Sequence, residues 1–315
     1  MRQITKTNTG IIVSDTDMEL EYLYVGDYGK KNNIKADFLG YKKKIDKVIH
    51  KPVDIRDKLV VTVSTQKGCM ESCKFCDCPK FGFKGNVSYY ELYAEIINGI
   101  ALSKIKHGKR LNVHFARMGE PTWNPNVITV ARDIGMINSH FDEYHPVVST
   151  MLPKNNKKLE KFLLDWCELG QAGLWNGGIG LQFSINTLDE KDRNDMFDNK
   201  SMSLKQISNL AKKLPNPVGR KYTLNFAVTG KCNLDPKIMD KYFDKDKFIV
   251  KITPIHATKE AIKNKFATEF DFDVYEKFEK PLVDAGWDVI VFIPSAEEDK
   301  DRITCGNSLL ALGKV

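Results

Sequence analysis

Two features that the sequence lacks indicate where the chain is expected to work. No apolar run approaches the roughly 18 residues that a membrane-spanning helix needs. The first residues, MRQITKTNTG, do not contain the apolar core of a secretion signal. We therefore expect a cytoplasmic protein that makes no membrane contact.

The cysteines are few, and their arrangement excludes two common uses. The chain has 7 cysteines at uneven spacing, which in a reducing compartment argues against a disulfide framework. Structural zinc commonly takes paired groups of ligands, and there is no second pair. Four cysteines do fall within VSTQKGCMESCKFCDCPKFGFKGN, residues 63–86. The first three of them, spaced C-x3-C-x2-C, allow one loop to bind three irons of a [4Fe–4S] cluster and leave the fourth iron open to a ligand: Cys69, Cys73 and Cys76.

The order of apolar and polar segments predicts an α/β fold. Apolar residues make up 42% of the 315-residue chain, which is enough for a sizeable core. From residue 59 onward, β-branched runs such as KLVVTVST alternate with helical segments such as SYYELYAEIINGIALSKIK, which starts at a capping box of Ser88 and Glu91. About six such units plus an extra strand imply a parallel sheet. Because a closed barrel needs eight units, we expect a partial (β/α)6 TIM-like barrel, although periodicity alone leaves a doubly wound sheet open.

The ends of the chain differ from this repeat. Residues 1–58 are predicted to be a basic, β-rich N-terminal extension, 59–295 the partial barrel, and 296–315 a C-terminal tail that carries Cys305. The net charge is +7, and many of its cations lie between residues 30 and 58. A phosphate backbone would suit this segment. The composition of this segment fits an RNA contact and a solvated lysine-rich surface equally well.

The cysteine loop carries a family resemblance. A C-x3-C-x2-C loop directly after the first strand of an α/β repeat, with Phe75 before the third cysteine, resembles the radical S-adenosylmethionine superfamily. The region through Gly82, Phe83 and Asn86 is similar to the methyltransferases that modify C2 or C8 of adenine in ribosomal and transfer RNA. Further motifs follow in the family's order between residues 59 and 313: RMGEPTWNPNV, VVSTMLP, LQFSINTLDEKDRNDM, VKITPIHATKEA and ITCGNSLLA.

The resemblance implies cofactors and roles for individual positions. It implies a barrel of the radical SAM type, a [4Fe–4S] cluster on the three cysteines, S-adenosylmethionine at the open iron, and a reducing electron donor such as flavodoxin or ferredoxin. It implies that Cys305, in CGNS, accepts a methyl group on its way to the adenine. It assigns cofactor contacts to matching positions: Gly119 and Glu120 for the amino group, and Ser149, Ser184, Asn186 and His256 for the remainder.

The sequence also departs from the family's pattern. Thr62 occupies the position of the family's second catalytic cysteine, and a hydroxyl cannot form the disulfide that this cysteine makes. Cys78 either takes over that role or is incidental. His256 replaces an asparagine and could equally be a structural histidine. We do not expect residues 1–58 to contain a counterpart of the family's helical accessory domain, and Asp37 is a candidate for its acidic proton acceptor.

Three functions remain open on these observations. The first is methylation of an adenine carbon in RNA through a methylated Cys305. The second is a radical S-adenosylmethionine reaction on a small molecule, nucleotide or peptide that uses no methyl-cysteine. Such a reaction would explain why position 62 holds a threonine and not the family's cysteine. The third is a binding protein in which the cluster is only structural.

Overall fold

One ten-stranded sheet organises the molecule. The computed structural model describes residues 1–25, 54–137, 140–172, 178–267, 274–292, 298, 300–303 and 308–313. Its strands are β1 (Arg2–Lys6), β2 (Gly10–Asp15), β3 (Leu20–Val25), β4 (Leu59–Val63), β5 (Gln66–Gly68), β6 (Phe83–Asn86), β7 (Gly108–Phe115), β8 (Phe141–Thr150), β9 (Gly180–Ser184), β10 (Tyr222–Val228), β11 (Phe248–Pro254) and β12 (Val289–Val291). All of them except the β5–β6 hairpin belong to the large sheet.

The order of the strands confirms the predicted α/β architecture. The sheet runs β1-β2-β3-β4-β7-β8-β9-β10-β11-β12, and every pairing from β4 to β12 is parallel. Within the described ranges β1 and β12 end the sheet without pairing to each other, so it stays open, as expected of a partial barrel. The first three strands are an antiparallel meander that joins β4 through β3.

Helices follow most of the parallel strands and cover one face of the sheet. They are α1 (Tyr89–Ser103), α2 (Asn126–Ile137), α3 (Leu159–Gln171), α4 (Glu190–Met196), α5 (Leu204–Lys213), α6 (Pro236–Tyr242), α7 (Lys259–Lys263) and α8 (Lys280–Asp284). The predicted capping box of α1 is present, because Ser88 accepts from the Glu91 N–H and the Glu91 side chain accepts from the Ser88 N–H. The two bonds satisfy two backbone N–H groups that would otherwise have no partner at the start of the helix.

The core lies between the helices and this face. Trp166 of α3 is fully buried, stacks on Phe162 at 6.5 Å and meets Phe115 of β7 edge-on at 6.1 Å. Its indole N–H donates to the Gly180 carbonyl at 3.1 Å, which fastens α3 to β9. Replacing such a side chain with alanine typically costs about 3–5 kcal/mol.

The opposite face of the parallel strands is polar. Residues alternate along each strand, so the neighbours of the apolar core positions point away from the helices. Gln182 and Asn112 there are 8% and 5% exposed, and the side-chain Oδ1 of Asn112 has no hydrogen-bond partner among the described residues. A polar interior of this kind suits a polar ligand better than a packed barrel core.

Candidate cluster and cofactor site

A small hairpin presents the cysteine loop at the carboxyl end of β4. Strands β5 and β6 pair antiparallel on either side of the loop. The two strand ends approach so closely at Gly68 and Gly82 that a Cβ on Gly68 would lie 1.4 Å from the Gly82 carbonyl oxygen. Gly68 also has a φ of 77°, which favours glycine. The loop therefore depends on a glycine immediately before its first cysteine.

The three predicted ligands are half-buried free thiols on this loop. Burial raises the pKa of the Cys69 and Cys73 thiols, and charge on neighbouring cysteines raises it further, so the three sulfur atoms act on one another. Among the described residues no three His, Cys, Asp or Glu side chains converge on one metal ion. A four-iron cluster binds each thiolate to a different iron, so its ligands need no common point.

Cys78 belongs to the same neighbourhood as the ligands. It is 2% exposed and packs with Met118 and Leu310, against which Cys69 and Cys76 also lie. Its thiol donates to the Arg117 carbonyl at 3.6 Å, and a hydrogen bond from it lowers the pKa of Cys76. Cys78 is therefore a buried thiol beside the loop and not an exposed surface cysteine.

Hydrogen bonds from residues distant in the sequence to the loop's backbone stabilise the conformation of the loop. The Thr258 hydroxyl donates to the Phe75 carbonyl at 2.7 Å, and the Asn264 amide donates to the Lys74 carbonyl at 2.7 Å. The Lys74 N–H donates to the Met196 carbonyl at 2.9 Å. Phe75, the predicted aromatic position, meets Phe197 edge-on at 5.5 Å. Segments after β9 and β11 thus fix the geometry of the loop before any ligand binds.

Glu120 lies in a tight turn linked to the loop by one glutamine. Gly119 has a φ of 94°, and a Cβ there would come within 2.5 Å of the Gln66 side chain. The Oε1 atom of Gln66 accepts from the Glu120 N–H at 3.0 Å and from the Met70 N–H at 3.2 Å. Gln66 is fully buried, so this amide joins the turn to the cysteine loop.

The carboxylate of Glu120 is buried among neutral donors. Its oxygens accept from the Thr122 hydroxyl at 2.7 Å and from the Met151 N–H at 2.9 Å. Burial raises its pKa to about 7 despite these bonds. Within the described residues no Lys, Arg or His forms an ion pair with it. A positively charged ligand group would therefore find a desolvated partner here.

Two of the predicted cofactor contacts, Ser149 and Ser184, lie near the carboxyl ends of the neighbouring strands β8 and β9. Ser149 is in register with Gln182, and Ser184 with Asn225 of β10. Asn186 follows β9 with a φ of 65°, and its Oδ1 accepts from the Ala227 N–H at 3.1 Å. Its Nδ2 is buried with no hydrogen-bond partner among the described residues, and the residue is 1% exposed. That amide is a donor available to a ligand oxygen.

Arg193 connects these positions to the cysteine loop. Its guanidinium donates to the carbonyls of Ser184 at 2.9 Å and Ile185 at 2.6 Å, and it lies over the Phe197 ring at 4.7 Å. It is 1% exposed, and burial lowers its pKa to about 10. Sequence reasoning did not single out Arg193 or Gln66, because one polar residue on a helix or strand carries no local signal.

The remaining predicted residues divide into two groups. His256 is half-buried just after β11, and its neighbour Ile255 packs in the apolar cluster that Cys73 and Phe75 border. Thr62 is half-buried on β4, in register with Leu23 and His114. Cys305, Asp37 and the lysines from Lys30 to Lys51 lie outside the described residues.

Comparison with known proteins gives the chain relatives. No family model matches it. Over 186 residues it is 26% identical to the dual-specificity RNA methyltransferase RlmN of Wolinella succinogenes, covering 58% of this chain and 48% of that protein. Over 206 residues it is 27% identical to RlmN of Campylobacter lari, covering 63% of this chain and 52% of that one. The chain resembles RlmN. It spans about half the length of these RlmN relatives, and the predicted resemblance to adenine methyltransferases is confirmed.

A solved structure agrees with the fold that the RlmN resemblance implies. A radical SAM methyltransferase from Sphaerobacter thermophilus superposes with a TM-score of 0.63, covering 98% of this chain and 80% of that one at 16% identity. This likeness confirms the predicted open α/β barrel fold. In the described ranges no helix combines the length and the apolar character that crossing a membrane requires.

Proposed function

We propose that the chain is a radical S-adenosylmethionine enzyme that methylates an adenine carbon in RNA in the cytoplasm. The observation that carries the proposal is the joint placement of three loop thiols and the buried Glu120 carboxylate. Charge on Glu120 acts on both Cys69 and Cys73. The resemblance to RlmN supports RNA as the substrate.

The described residues fit a [4Fe–4S] cluster and S-adenosylmethionine. Cys69, Cys73 and Cys76 would hold the cluster. Glu120 would pair with the amino group of the methionine moiety, which supplies the cation that its buried carboxylate lacks. The unpartnered Nδ2 of Asn186 would donate to a cofactor oxygen, beside Ser149 and Ser184 on the polar face. His256 would border the adenosine.

Bound together, the cluster and S-adenosylmethionine supply the one-electron chemistry that activates a carbon–hydrogen bond. The protein supplies orientation and excludes water. The Cys305 thiolate is proposed to take the methyl group from the sulfonium of one S-adenosylmethionine, which leaves as S-adenosylhomocysteine while the thiol proton passes to solvent. A reducing donor such as flavodoxin or ferredoxin is proposed to deliver the electrons.

A second candidate function is favoured by Thr62. The family's second cysteine is absent there, and a threonine cannot close a disulfide with Cys305. An enzyme that acts on a small molecule, nucleotide or peptide without a methyl-cysteine would not need that disulfide.

Cys78 bears on the first candidate instead. It is buried beside the loop, where its thiol is proposed to replace the missing cysteine.

One experiment separates the two candidates. The protein is reconstituted anaerobically with iron and sulfide and incubated with methyl-labelled S-adenosylmethionine, a reductant and total RNA. Intact-protein mass spectrometry reports methylation of Cys305, and nucleoside analysis reports methyladenosine. We expect both labels, and we expect Cys305→Ala to remove both. Turnover that persists in Cys305→Ala would instead support the second candidate.

A further inference from the structure

A buried carboxylate on the N-terminal meander binds the C-terminal segment. Glu21 of β3 is fully buried. Its Oε2 accepts from the Leu309 N–H at 2.6 Å, from the Leu310 N–H at 3.1 Å and from the Ser308 hydroxyl at 3.2 Å. Three donors from consecutive residues thus converge on one oxygen.

The other oxygen of the same carboxylate binds the segment between β7 and Glu120. The Oε1 atom of Glu21 accepts from Nε of Arg117 at 2.6 Å, and the two groups form an ion pair that is almost completely buried. Arg117 stands three residues before Glu120, and its carbonyl accepts from the Cys78 thiol. Glu21 therefore connects the C-terminal segment with the turn that carries Glu120.

The segment that Glu21 binds also touches the cysteine loop. Leu310 packs with Cys78 and Met118 in the apolar cluster that Cys69 and Cys76 border. The Ser308 hydroxyl lies 3.4 Å from the Met118 sulfur. Residues that follow Cys305 closely in sequence are in this way held beside two of the predicted cluster ligands.

The meander fastens the chain on the other side of Cys305 as well. Asp301 accepts from the Thr9 N–H at 3.1 Å and from the Thr9 hydroxyl at 2.8 Å. Ile303 and Leu309 share one apolar cluster with residues of the meander and β4: Ile12, Leu23, Val25 and Val60. Chain segments before and after Cys305 are therefore both attached to the first three strands.

We propose that Glu21 is a positioning residue that, together with the β1–β3 meander, orients the segments flanking Cys305 toward the cysteine loop. The proposal rests on the proposed function, in which the Cys305 sulfur must meet the cofactor and the base. A buried ion pair is seldom worth more than apolar packing of the same volume, so its use here points to control of geometry. Orientation of reacting groups can supply a large part of a rate enhancement.

The test compares two buried carboxylates. Glu21→Gln keeps the size of the side chain and removes the charge that binds Arg117 and the three donors. Glu95→Gln is the control at a second buried glutamate: Glu95 is 2% exposed, accepts from the Ser64 N–H at 3.0 Å and, among the described residues, makes no hydrogen bond or ion pair with residues 301–313. Asp301→Asn is a milder second variant should Glu21→Gln fold poorly.

The first readout is hydrogen–deuterium exchange of peptides from residues 300–313, which needs no activity. We expect Glu21→Gln to speed exchange at Leu309 and Leu310 by about tenfold, since each loses a charge-assisted hydrogen bond, and Glu95→Gln to leave it unchanged. Asp301→Asn should loosen residues 300–303. Unchanged exchange in both Glu21→Gln and Asp301→Asn would overturn the proposal.

The second readout is the ratio of 5′-deoxyadenosine formed to methylated RNA product. A merely destabilised enzyme loses both in proportion, so the ratio stays constant. Misplacement of Cys305 lowers the product while cofactor cleavage continues, and we expect the ratio to rise about tenfold in Glu21→Gln. A constant ratio in a folded variant would overturn the positioning role. Should the wild type make no methylated RNA, the proposed function fails, and the exchange measurement still decides whether Glu21 anchors the segment.

Discussion

Asn186 combines two properties that seldom occur together by chance. Its φ of 65° is unusual outside glycine, and its buried Nδ2 has no partner among the described residues. A residue that carries both backbone strain and an unpaired donor is a good candidate for a ligand contact. The strain is tolerable because asparagine enters the left-handed region more readily than most residues.

Two variants test whether the Asn186 Nδ2 donor contributes to cofactor binding. Asn186→Asp keeps the oxygen that accepts from Ala227 and removes the Nδ2 donor. Asn186→Gly keeps the left-handed backbone and removes both. We expect each to weaken S-adenosylmethionine binding to the reconstituted protein by about tenfold, as measured by calorimetry. Wild-type affinity in both would contradict the assignment of Nδ2 to the cofactor.

Glu95 gives a prediction about pH. Burial raises its pKa well above the ordinary 4.5, and the nearby carboxylates Glu91 and Glu21 raise it further. The folded state therefore keeps a proton that the unfolded chain releases above about pH 4.5. Its contribution to the free energy of unfolding is greatest below that value and is lost as the pH rises toward the folded pKa.

Replacing the Glu95 carboxyl should remove its pH-dependent contribution to the free energy of unfolding. We expect Glu95→Gln to gain stability relative to the wild type by about 1–3 kcal/mol between about pH 5 and about pH 8, because the amide has no proton to lose. Denaturant unfolding at the two pH values measures the difference. A gap between variant and wild type that is the same at both values would count against the raised pKa.

Single residues differ in how far the sequence discloses them. Cys69, Cys73 and Cys76 stand in a motif whose spacing alone pointed to them, and Glu120 was assigned through the family resemblance of its turn. Gln66 and Glu21 act through contacts with residues far away in the chain, for example Glu21 with Leu309. No local pattern records such a pairing, and only the folded chain brings the partners together.

Elements were predictable where their signals are local. Helix α1 begins at the capping box that Ser88 and Glu91 predict. The β5–β6 hairpin around the cysteine loop was not predicted. Its strands are three and four residues long, too short for periodicity to register. The hairpin is defined by the close approach of Gly68 to Gly82 instead.

The hairpin makes Gly68 a sensitive position. Gly68→Ala would place a methyl group 1.4 Å from the Gly82 carbonyl oxygen, so the loop must open. Gly286→Ala is the control, because Gly286 has a similar φ of 86° and an added Cβ would meet nothing within 4 Å. We expect Gly68→Ala to lose most of its iron on reconstitution, while Gly286→Ala keeps it and loses about 1 kcal/mol of stability.

Iron analysis and the visible absorbance of the reconstituted proteins measure this difference. Equal iron content in the two alanine variants would show that the loop tolerates opening at its base. Cys232→Ser adds a check on thiol specificity, since Cys232 lies far along the chain and its sulfur accepts from the Thr229 N–H at 3.2 Å. That variant should keep the cluster.

The whole molecule shows what alternation can and cannot predict. Repeated strand–helix units fixed the parallel order of β4 and β7 to β12, because right-handed crossovers leave few other arrangements. The placement of the meander was not predictable in this way. Antiparallel strands can add to either edge of a sheet or stand apart, and only the register of β3 with β4 decides it. The same register places Glu21 of β3 where it binds residues 308–310 of the C-terminal segment.

The distribution of charge leads to a prediction about RNA. The net charge is +7, and the segment from residue 30 to residue 58 is rich in lysine. If RNA phosphates contact this segment, each contact releases counterions, and the slope of log K against log salt reports their number. Replacing Lys42, Lys43, Lys44 and Lys47 with glutamine should reduce that slope by up to about 3.

A matched set of lysines on the helical layer separates contact from bulk charge. Lys205, Lys212, Lys237 and Lys241 are exposed on α5 and α6. Their replacement with glutamine changes the net charge by the same amount, and long-range attraction is screened beyond about 8 Å at physiological salt. We therefore expect the second set to leave the slope within about 1 of the wild type, as measured by filter binding of RNA fragments over a salt series. A slope within about 1 of the wild type in the first variant would mean that RNA does not bind through the lysine-rich segment.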